Sequence, residues 1–266
     1  MKENIIKKIK TLPPLPKSVM EIQRITTDPD GSIADLIRVV KEDPMLTANL
    51  LKSANSPLYG FSRQIKTVDQ AVTLFGMSTV KGFAIASAVR NSMKIDLSAY
   101  GISENHFLEV SQKQNALIVN WYKRDRKKLD ILSTASFLLE IGAVIISAVL
   151  VSENLANGFR SRLSSENRDL LEKEYLELNT IDVTAEIFNY WKFDTDLVEA
   201  IKFADDLDNA INIEYSAPLA VAYKIVDLLK PFDEKGVNTG IELAKKYNLN
   251  VEALKEAIEV VKWNNL

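Results

Sequence analysis

The chain has 266 residues, of which 47% are apolar and 26% are charged, and its 33 basic and 36 acidic side chains leave a formal net charge of −3. This balance predicts one or two folded globular domains rather than a disordered chain or a general nucleic-acid binder. There is no cysteine, which excludes disulfides, iron–sulfur clusters, thiol nucleophiles and zinc–thiolate sites. His106 is the only histidine, so a multi-histidine metal site is excluded and a histidine general base has one candidate.

Helix boundaries in the first half of the chain are marked by capping residues. Ser32 followed by Asp35 predicts the start of one helix, and Asp43 followed by Pro44 predicts the start of the next. Further starts are predicted at Thr67, Ser78, Ser103 and Asp130, and ends at Asn55, Gly76, about Met93 and Arg124.

Apolar stripes with the 3.6-residue helical period mark the second half. No segment has a sustained period of two, and no proline occurs between Pro57 and Pro218. The sequence therefore predicts an all-α protein with a dozen or more helices and no substantial sheet. The stripes are Val183, Ile187, Phe188 and Trp191; Val221, Ile225, Leu228 and Leu229; and Val251, Leu254, Ile258 and Val261.

The run Ile131–Ser152 has the length and hydropathy of a membrane-spanning helix, and it follows a basic stretch, Lys123–Lys128. A carboxylate near the centre of a span costs roughly 2.5 to 3.5 kcal/mol, and this run contains Glu140. We therefore expect it to be the buried central helix on which the amphipathic helices pack. The N-terminal stretch Met1–Lys10 lacks the apolar core of a signal peptide, and we expect a cytoplasmic protein without a membrane span.

The best candidate for a domain boundary is the segment between Lys94 and Ser103, which contains several polar residues and Gly101. It predicts an N-terminal helical lobe over residues 1–95 and a larger C-terminal helical lobe over 96–266, packed together or forming one continuous domain.

Several short motifs in the first 90 residues give the chain a family resemblance. The order and spacing of these motifs resemble the HDOD domain, the HD-related output domain of bacterial signalling proteins, and the resemblance continues more weakly to about Lys230. It implies an HD-like multi-helix fold and a role in signal transduction. The motifs are Leu12–Pro16, Asp43-Pro44, the turn Asn55-Ser56-Pro57-Leu58-Tyr59-Gly60, Ile65, Thr67-Val68, Ala71-Val72 and Leu74–Gly76.

The HD superfamily that this resemblance implies consists of metal-dependent phosphohydrolases, whose histidines and aspartates hold divalent metals that activate water. Here the family's His-Asp doublet falls on Leu139 and Glu140, and only Asp227 lies where the last carboxylate is expected. The remaining ligand positions fall on Val110, Thr180, Ala204 and Asp205. The resemblance therefore implies a degenerate site without catalytic residues, without bound metal and without another cofactor.

Each remaining candidate has two interpretations. His106 is a general base or a half-buried histidine near a helix start, and we favour the latter. Glu140 and Asp227 hold a magnesium ion, or basic or backbone groups satisfy each carboxylate. The acidic run Asp205–Asp208 lacks the pattern of a calcium loop and predicts a solvated helix end or a loop. The basic stretch Lys123–Lys128 meets an acidic partner, or it is a solvated helix end favoured by the helix dipole.

Three functions remain open. The first, which we favour, is a non-catalytic regulatory scaffold that binds another protein in a signalling pathway. The second is a sensor that holds a nucleotide or other small ligand in the degenerate HD cavity. The third is a residual phosphodiesterase with a metal site made of carboxylates alone. Nucleic acid is not an expected partner, because the charge is balanced and aromatic residues are not interleaved with the basic stretch.

Overall fold

The computed structural model describes residues 1–61, 63–92 and 95–263, and over these ranges the regular structure is almost entirely α-helical. The described residues contain no β-strand, which confirms the predicted fold class; one isolated bridge joins Val226 and Pro231. Short 3-10 helices cover Pro57–Tyr59 and Leu207–Asn209. The α-helices are α1 (Lys2–Lys10), α2 (Lys17–Thr27), α3 (Ile33–Glu42), α4 (Pro44–Ala54), α5 (Val68–Ser92), α6 (Glu104–Trp121), α7 (Arg126–Leu138), α8 (Ile141–Ser152), α9 (Ala156–Arg162), α10 (Arg168–Leu176), α11 (Thr180–Tyr190), α12 (Thr195–Lys202), α13 (Ile213–Ile225), α14 (Glu234–Lys246) and α15 (Val251–Trp263).

The predicted caps are present at most helix starts. The Ser32 hydroxyl accepts from the Asp35 amide at 3.1 Å, the Asp43 carboxylate from the Leu46 amide at 3.0 Å, and the Ser103 hydroxyl from the His106 amide at 3.2 Å. Gly76 interrupts α5 with φ 79° and ψ 168°, a conformation that favours glycine, so the two helices predicted there are its two halves. The predicted end near Met93 lies outside the described residues.

The family motif turn after α4 is held by one side chain. Asn55 donates to the Ile65 carbonyl at 2.8 Å and accepts from the Ile65 amide at 2.8 Å, which pins the returning loop to the helix end. Ser56 caps the 3-10 helix that begins at Pro57, and Gly60 ends it in the left-handed region with φ 66°. This geometry gives the turn a structural role.

The apolar run Ile131–Ser152 is buried, as predicted, but the prediction that it forms one helix was wrong. Helix α7 begins after Asp125, whose carboxylate accepts from the Lys128 amide at 3.1 Å, and it ends at Leu138; Glu140 then precedes α8. Two segments, Val68–Ala88 and Arg126–Ser152, are long and apolar enough to cross a membrane. In their most apolar windows, 67% and 89% of the residues, respectively, are buried inside the protein. The break escapes sequence reasoning because no proline marks it and because the nearest glycine, Gly142, lies inside the first turn of α8.

Two other boundaries differ from the prediction. Helix α6 ends at Trp121, so the last residues of the basic stretch Lys123–Lys128 lie in the first turn of α7, where the helix dipole disfavours positive charge. Helix α13 ends at Ile225, because a tight turn closed by the bridge between Val226 and Pro231 follows it. Asp227 therefore lies in this turn and not on a helix.

The core extends across the predicted boundary between the lobes. A row of aromatic rings runs from the 3-10 helix after α4 through α5 to α7, with centroids 4.8 Å apart for Tyr59 and Phe75, 5.1 Å for Phe75 and Phe83, and 4.4 Å for Phe83 and Phe137. The Tyr59 hydroxyl donates to the Asn115 amide oxygen on α6 at 3.1 Å. Helix α7 is thus packed against helices from both parts of the chain. Glu140, just after its C-terminal end, lies in the protein interior.

Candidate functional site

Glu140 lies in the break between α7 and α8 with no exposed surface. The break is held against α11 by Thr184, whose hydroxyl donates to the Leu139 carbonyl at 3.0 Å and accepts from the Gly142 amide at 3.0 Å. A Cβ atom on Gly142 would lie 2.2 Å from the Thr180 carbonyl oxygen, so only glycine permits this approach of α8 to α11. The close packing encloses the Glu140 side chain completely.

Arg168, the first residue of α10, forms a buried two-pronged ion pair with Glu140. The distance from Nη1 to Oε2 is 2.9 Å and that from Nη2 to Oε1 is 3.2 Å, and the side chains of Arg168 and Glu140 are 5% and 0% exposed. Gln114 adds a third donor to Glu140 at 3.3 Å and donates to the Val226 carbonyl at 2.9 Å. Two parallel hydrogen bonds fix the orientation of the guanidinium group relative to the carboxylate and also pair their opposite charges.

The same guanidinium group reaches Asp227. The Nη2 atom lies 3.8 Å from Oδ2 of Asp227, and the other carboxylate oxygen accepts from the amides of Leu229 at 2.9 Å and Lys230 at 3.1 Å. Thus two of the three carboxylates predicted at HD ligand positions, Glu140 and Asp227, do come together, but with an arginine between them.

Two further acids complete what we call the Arg168 cluster: Arg168, Glu140, Asp227, Asp169 and Glu172. Asp169 accepts from the Tyr223 hydroxyl at 2.7 Å and from Lys224 at 2.8 Å. The Tyr223 ring also lies against the guanidinium group, with 4.9 Å between its centroid and Cζ of Arg168.

Glu172, one helical turn after Arg168, is also without exposed surface. It accepts from the backbone amide of Thr180, from the Thr180 hydroxyl at 2.9 Å and from the Tyr100 hydroxyl at 2.9 Å. Its carboxylate lies 3.9 Å from Nε of Arg168, which is too far for a hydrogen bond. Thr180, at a predicted ligand position, therefore serves as a donor to a buried glutamate.

Burial dominates the electrostatics of the cluster. It raises the pKa of Glu140 to about 7 and that of Glu172 to about 7, and in both cases Arg168 opposes the rise. Burial also acts to raise the pKa of Asp169, but Arg168, Lys224 and Tyr223 together hold that pKa below its usual value. Burial acts to lower the pKa of Arg168, yet Glu140 and the surrounding acids raise it well above the ordinary value, so the guanidinium remains charged.

These residues do not fit a divalent metal. The space between Glu140 and Asp227 is taken by a guanidinium group that contacts both, so a cation from the chain already lies where a metal ion would have to bind. In the described part of the chain, no group of three or more histidine, cysteine, aspartate or glutamate side chains is arranged to hold a metal ion. Hydroxide generation at a metal requires fixed ligands and an open coordination position, and this arrangement offers neither.

The other predicted ligand positions contribute to packing or to separate ion pairs. Val110, Leu139 and Ala204 are core residues without side-chain polar atoms. Asp205, expected in a solvated run, is only 10% exposed and accepts from Lys173 at 3.0 Å. His106 is half-buried, as expected, and its Nε2 lies 2.7 Å from the Leu228 carbonyl oxygen.

Sequence reasoning missed Arg168 and Glu172. Both belong to a charged stretch that is typical of an exposed helix, but they share the buried face of α10 with Leu171 and Leu176. The spacing 168, 171, 172, 176 is that of one helix face, and this was the available signal. Because two of these four residues are charged, the face does not read as an apolar stripe in the sequence.

Comparisons with known proteins agree with this geometry at the level of the fold. The model of the HDOD domain matches residues 12–207. A virulence factor from Campylobacter jejuni, of known structure, is 28% identical, with 99% of this chain and 98% of that chain covered and a TM-score of 0.60. A provisionally assigned phosphohydrolase from Shewanella amazonensis SB2B is 23% identical over 98% of this chain and 94% of its own, with a TM-score of 0.71.

Two further relatives are matched over only part of their length. A provisionally assigned signal transduction protein from Marinobacter aquaeolei VT8 is 18% identical, with 99% of this chain but 63% of that chain covered and a TM-score of 0.72. An uncharacterized protein from Treponema pallidum is 31% identical over 74 residues, which are 28% of this chain and 14% of that protein. The chain thus spans a small part of that relative.

Proposed function

Because this chain belongs to the HDOD domain family, we propose that it is a non-catalytic regulatory domain of bacterial signal transduction that works in the cytoplasm by binding another protein. It needs no metal or other cofactor in this role, nucleic acid is not its partner, and it does not span a membrane.

The observation that carries the proposal is the position of Arg168. Its guanidinium group lies between Glu140 and Asp227, two of the three acids at the predicted HD ligand positions, and makes a paired hydrogen bond with the first. A cation supplied by the chain itself removes both the affinity for a metal ion and the open position at which a metal would activate water. The cluster is then a structural element inside a binding domain.

The names of two relatives point to different roles. One is described provisionally as a signal transduction protein and another provisionally as a phosphohydrolase, and both are less than 25% identical to this chain. The loss of histidine at every HD ligand position favours the first of these roles here. The carboxylate-only phosphodiesterase loses support, since Arg168 already lies between its two ligands.

The test of the non-catalytic part is a hydrolysis assay. The purified chain is incubated with cyclic dinucleotides, cyclic mononucleotides and nucleotide phosphates in the presence of manganese, magnesium or nickel. We expect no turnover above the buffer rate. Turnover that disappears with a chelator and in Glu140→Ala, but persists in the matched exposed variant Glu153→Ala, would make the domain an enzyme.

The test of the binding part requires a defined complex. A partner captured from the native bacterium is purified, recombined with this chain and titrated by calorimetry. We expect saturable binding at fixed stoichiometry, and equal affinity in chelator and in manganese, because no metal completes the interface. Binding that requires an added metal would contradict the proposed mode of action.

A further inference from the structure

A second site lies away from the Arg168 cluster. A cavity of about 240 Å³ opens between α4 and the second half of α5 on one side and α6, α7 and the start of α8 on the other. It therefore lies where the N-terminal helices meet the C-terminal ones. None of the residues of the Arg168 cluster lines it, so its contents are independent of whether the domain is catalytic.

The inner walls of the cavity are aromatic and aliphatic. Phe83 and Phe137 pack with ring centroids 4.4 Å apart, and Phe107, Leu138 and Ile141 continue the same apolar surface. These side chains are almost fully buried, so their positions are fixed by the core rather than by solvent. A fixed apolar wall of this kind suits a planar ring.

Polar groups without partners face the same space. Ser53 on α4 and Ser111 on α6 line the cavity, are 7% and 5% exposed, and make no side-chain hydrogen bond to another described residue. Gln112, half-buried beside Ser111, also lines the cavity and has no such bond within the described ranges. A hydroxyl group can both donate and accept a hydrogen bond, so these two, on opposite sides of the cavity, suit a ligand with donors and acceptors.

The described charged side chains that line the cavity are Lys52 and Glu109. Glu109 is paired with Lys113, while Lys52 is exposed and has no ion pair within the described part of the chain. The free ammonium group favours an anionic substituent on the ligand.

The volume limits the size of the ring. A protein cavity of about 150 Å³ accommodates benzene, so about 240 Å³ accommodates a bicyclic ring system of roughly ten non-hydrogen atoms. Hydroxyl and amide groups recognise the edges of nitrogen heterocycles. We propose that this cavity binds a bicyclic nitrogen heterocycle that carries an anionic group, with the ring against Phe83 and Phe137 and the anion at Lys52.

The test uses four probes and isothermal titration calorimetry on the full chain. AMP and GMP carry both the heterocycle and the anion, adenosine lacks the anion, and naphthalene-2-carboxylate lacks the ring nitrogens. We expect at least one of the two nucleotides to saturate the protein, with adenosine and naphthalene-2-carboxylate each bound at least about tenfold more weakly. No saturation by AMP or GMP up to about 10 mM, or equal affinity for all four probes, would overturn the assignment.

Variants connect any binding to this cavity. Lys52→Met is expected to weaken nucleotide binding about tenfold while leaving adenosine unchanged, and Gln112→Ala to weaken both. The matched control Gln23→Ala changes a half-buried glutamine on α2, outside the cavity, and is expected to bind as the wild type does. Ala86→Phe fills the cavity and is expected to abolish binding, with circular dichroism as the check on folding. If Lys52→Met and Gln112→Ala both bind like the wild type, the site is elsewhere and the proposal fails.

Discussion

Arg168 offers the most direct test of the site, through the substitution Arg168→Met. The change keeps most of the aliphatic volume but removes both hydrogen bonds to Glu140, at 2.9 and 3.2 Å. Hydrogen bonds to charged groups contribute about 1.5 to 3 kcal/mol each, and breaking a buried pair costs about 3 to 5 kcal/mol. Because Glu140 has no exposed surface, water cannot replace the lost donors. We expect Arg168→Met to destabilise the fold by about 3 to 5 kcal/mol.

The measurement is urea unfolding at pH 7.5 followed by far-ultraviolet circular dichroism, with Arg160→Met as the matched control. Arg160 is exposed and does not contact a buried acid, so its substitution is expected to cost less than about 0.5 kcal/mol. Arg168→Lys keeps the charge but loses the planar two-pronged geometry, and it is expected to fall between the two.

A double-mutant cycle separates the electrostatic contribution of the Arg168–Glu140 pair to stability from the packing contribution of the two side chains. Glu140→Gln removes the charge that Arg168→Met leaves uncompensated, so the double variant is expected to be more stable than the sum of the single effects by about 2 kcal/mol or more. A cost below about 1 kcal/mol for Arg168→Met, or strict additivity in the cycle, would refute the view that this pair is the centre of the cluster.

Four further outcomes are expected. Burial raises the pKa of Glu172 from its ordinary value of 4.5 to about 7, so the native state binds more protons between these values and loses stability as pH rises. Relative to Glu172→Gln, the wild type is expected to lose roughly 3 kcal/mol between pH 4.5 and 8, and equal pH profiles would contradict this. Leu139→Ala is expected to cost roughly 2 to 5 kcal/mol in urea unfolding, because the side chain is fully buried, and a cost below that of an exposed leucine such as Leu170→Ala would be inconsistent with its place in the core. Asn55→Ala is expected to cost roughly 2 to 3 kcal/mol, since it removes two bonds to Ile65, whereas unchanged stability with loss of a protein partner would assign the turn to binding. Manganese at 1 mM, roughly a hundred times a tight site's dissociation constant, is expected to leave the melting temperature unchanged, and a rise of several degrees would indicate a metal site.

The helix content and most helix starts could be predicted because caps are local. Ser32, Asp43 and Ser103 each bond an amide within three residues, so the whole interaction lies in one short window of sequence. The break before α8 is different. Leu139 and Glu140 lie inside a largely apolar run, and what stabilises the break is Thr184, more than 40 residues away on α11. A run of apolar residues predicts burial, and burial was correct, but it cannot locate a tertiary break.

The candidate site could be predicted only in part for the same reason. The resemblance located Glu140 and Asp227, and the structure brings them to one guanidinium group. Arg168 itself is 28 residues from Glu140 and lies in a segment whose charges indicate a solvated surface. The burial of an arginine is decided by partners from other elements, which a single sequence does not reveal.

Under the proposed function, the Arg168 cluster offers a way to stabilise enclosed acids without a bound ion. Glu140 and Glu172 are fully enclosed and Asp169 is nearly so, and enclosed carboxylates require positive charge or protons to offset the loss of hydration. A bound metal would supply that charge only at a sufficient free concentration, and stability would then follow the metal. Arg168 and Lys224 supply it from within the chain, so the compensation is present in every folded molecule. The pKa values of Glu140 and Glu172 are raised because the cluster encloses more acids than bases. Under the proposed function, the stability of this part of the fold therefore depends on pH and not on the concentration of a metal ion.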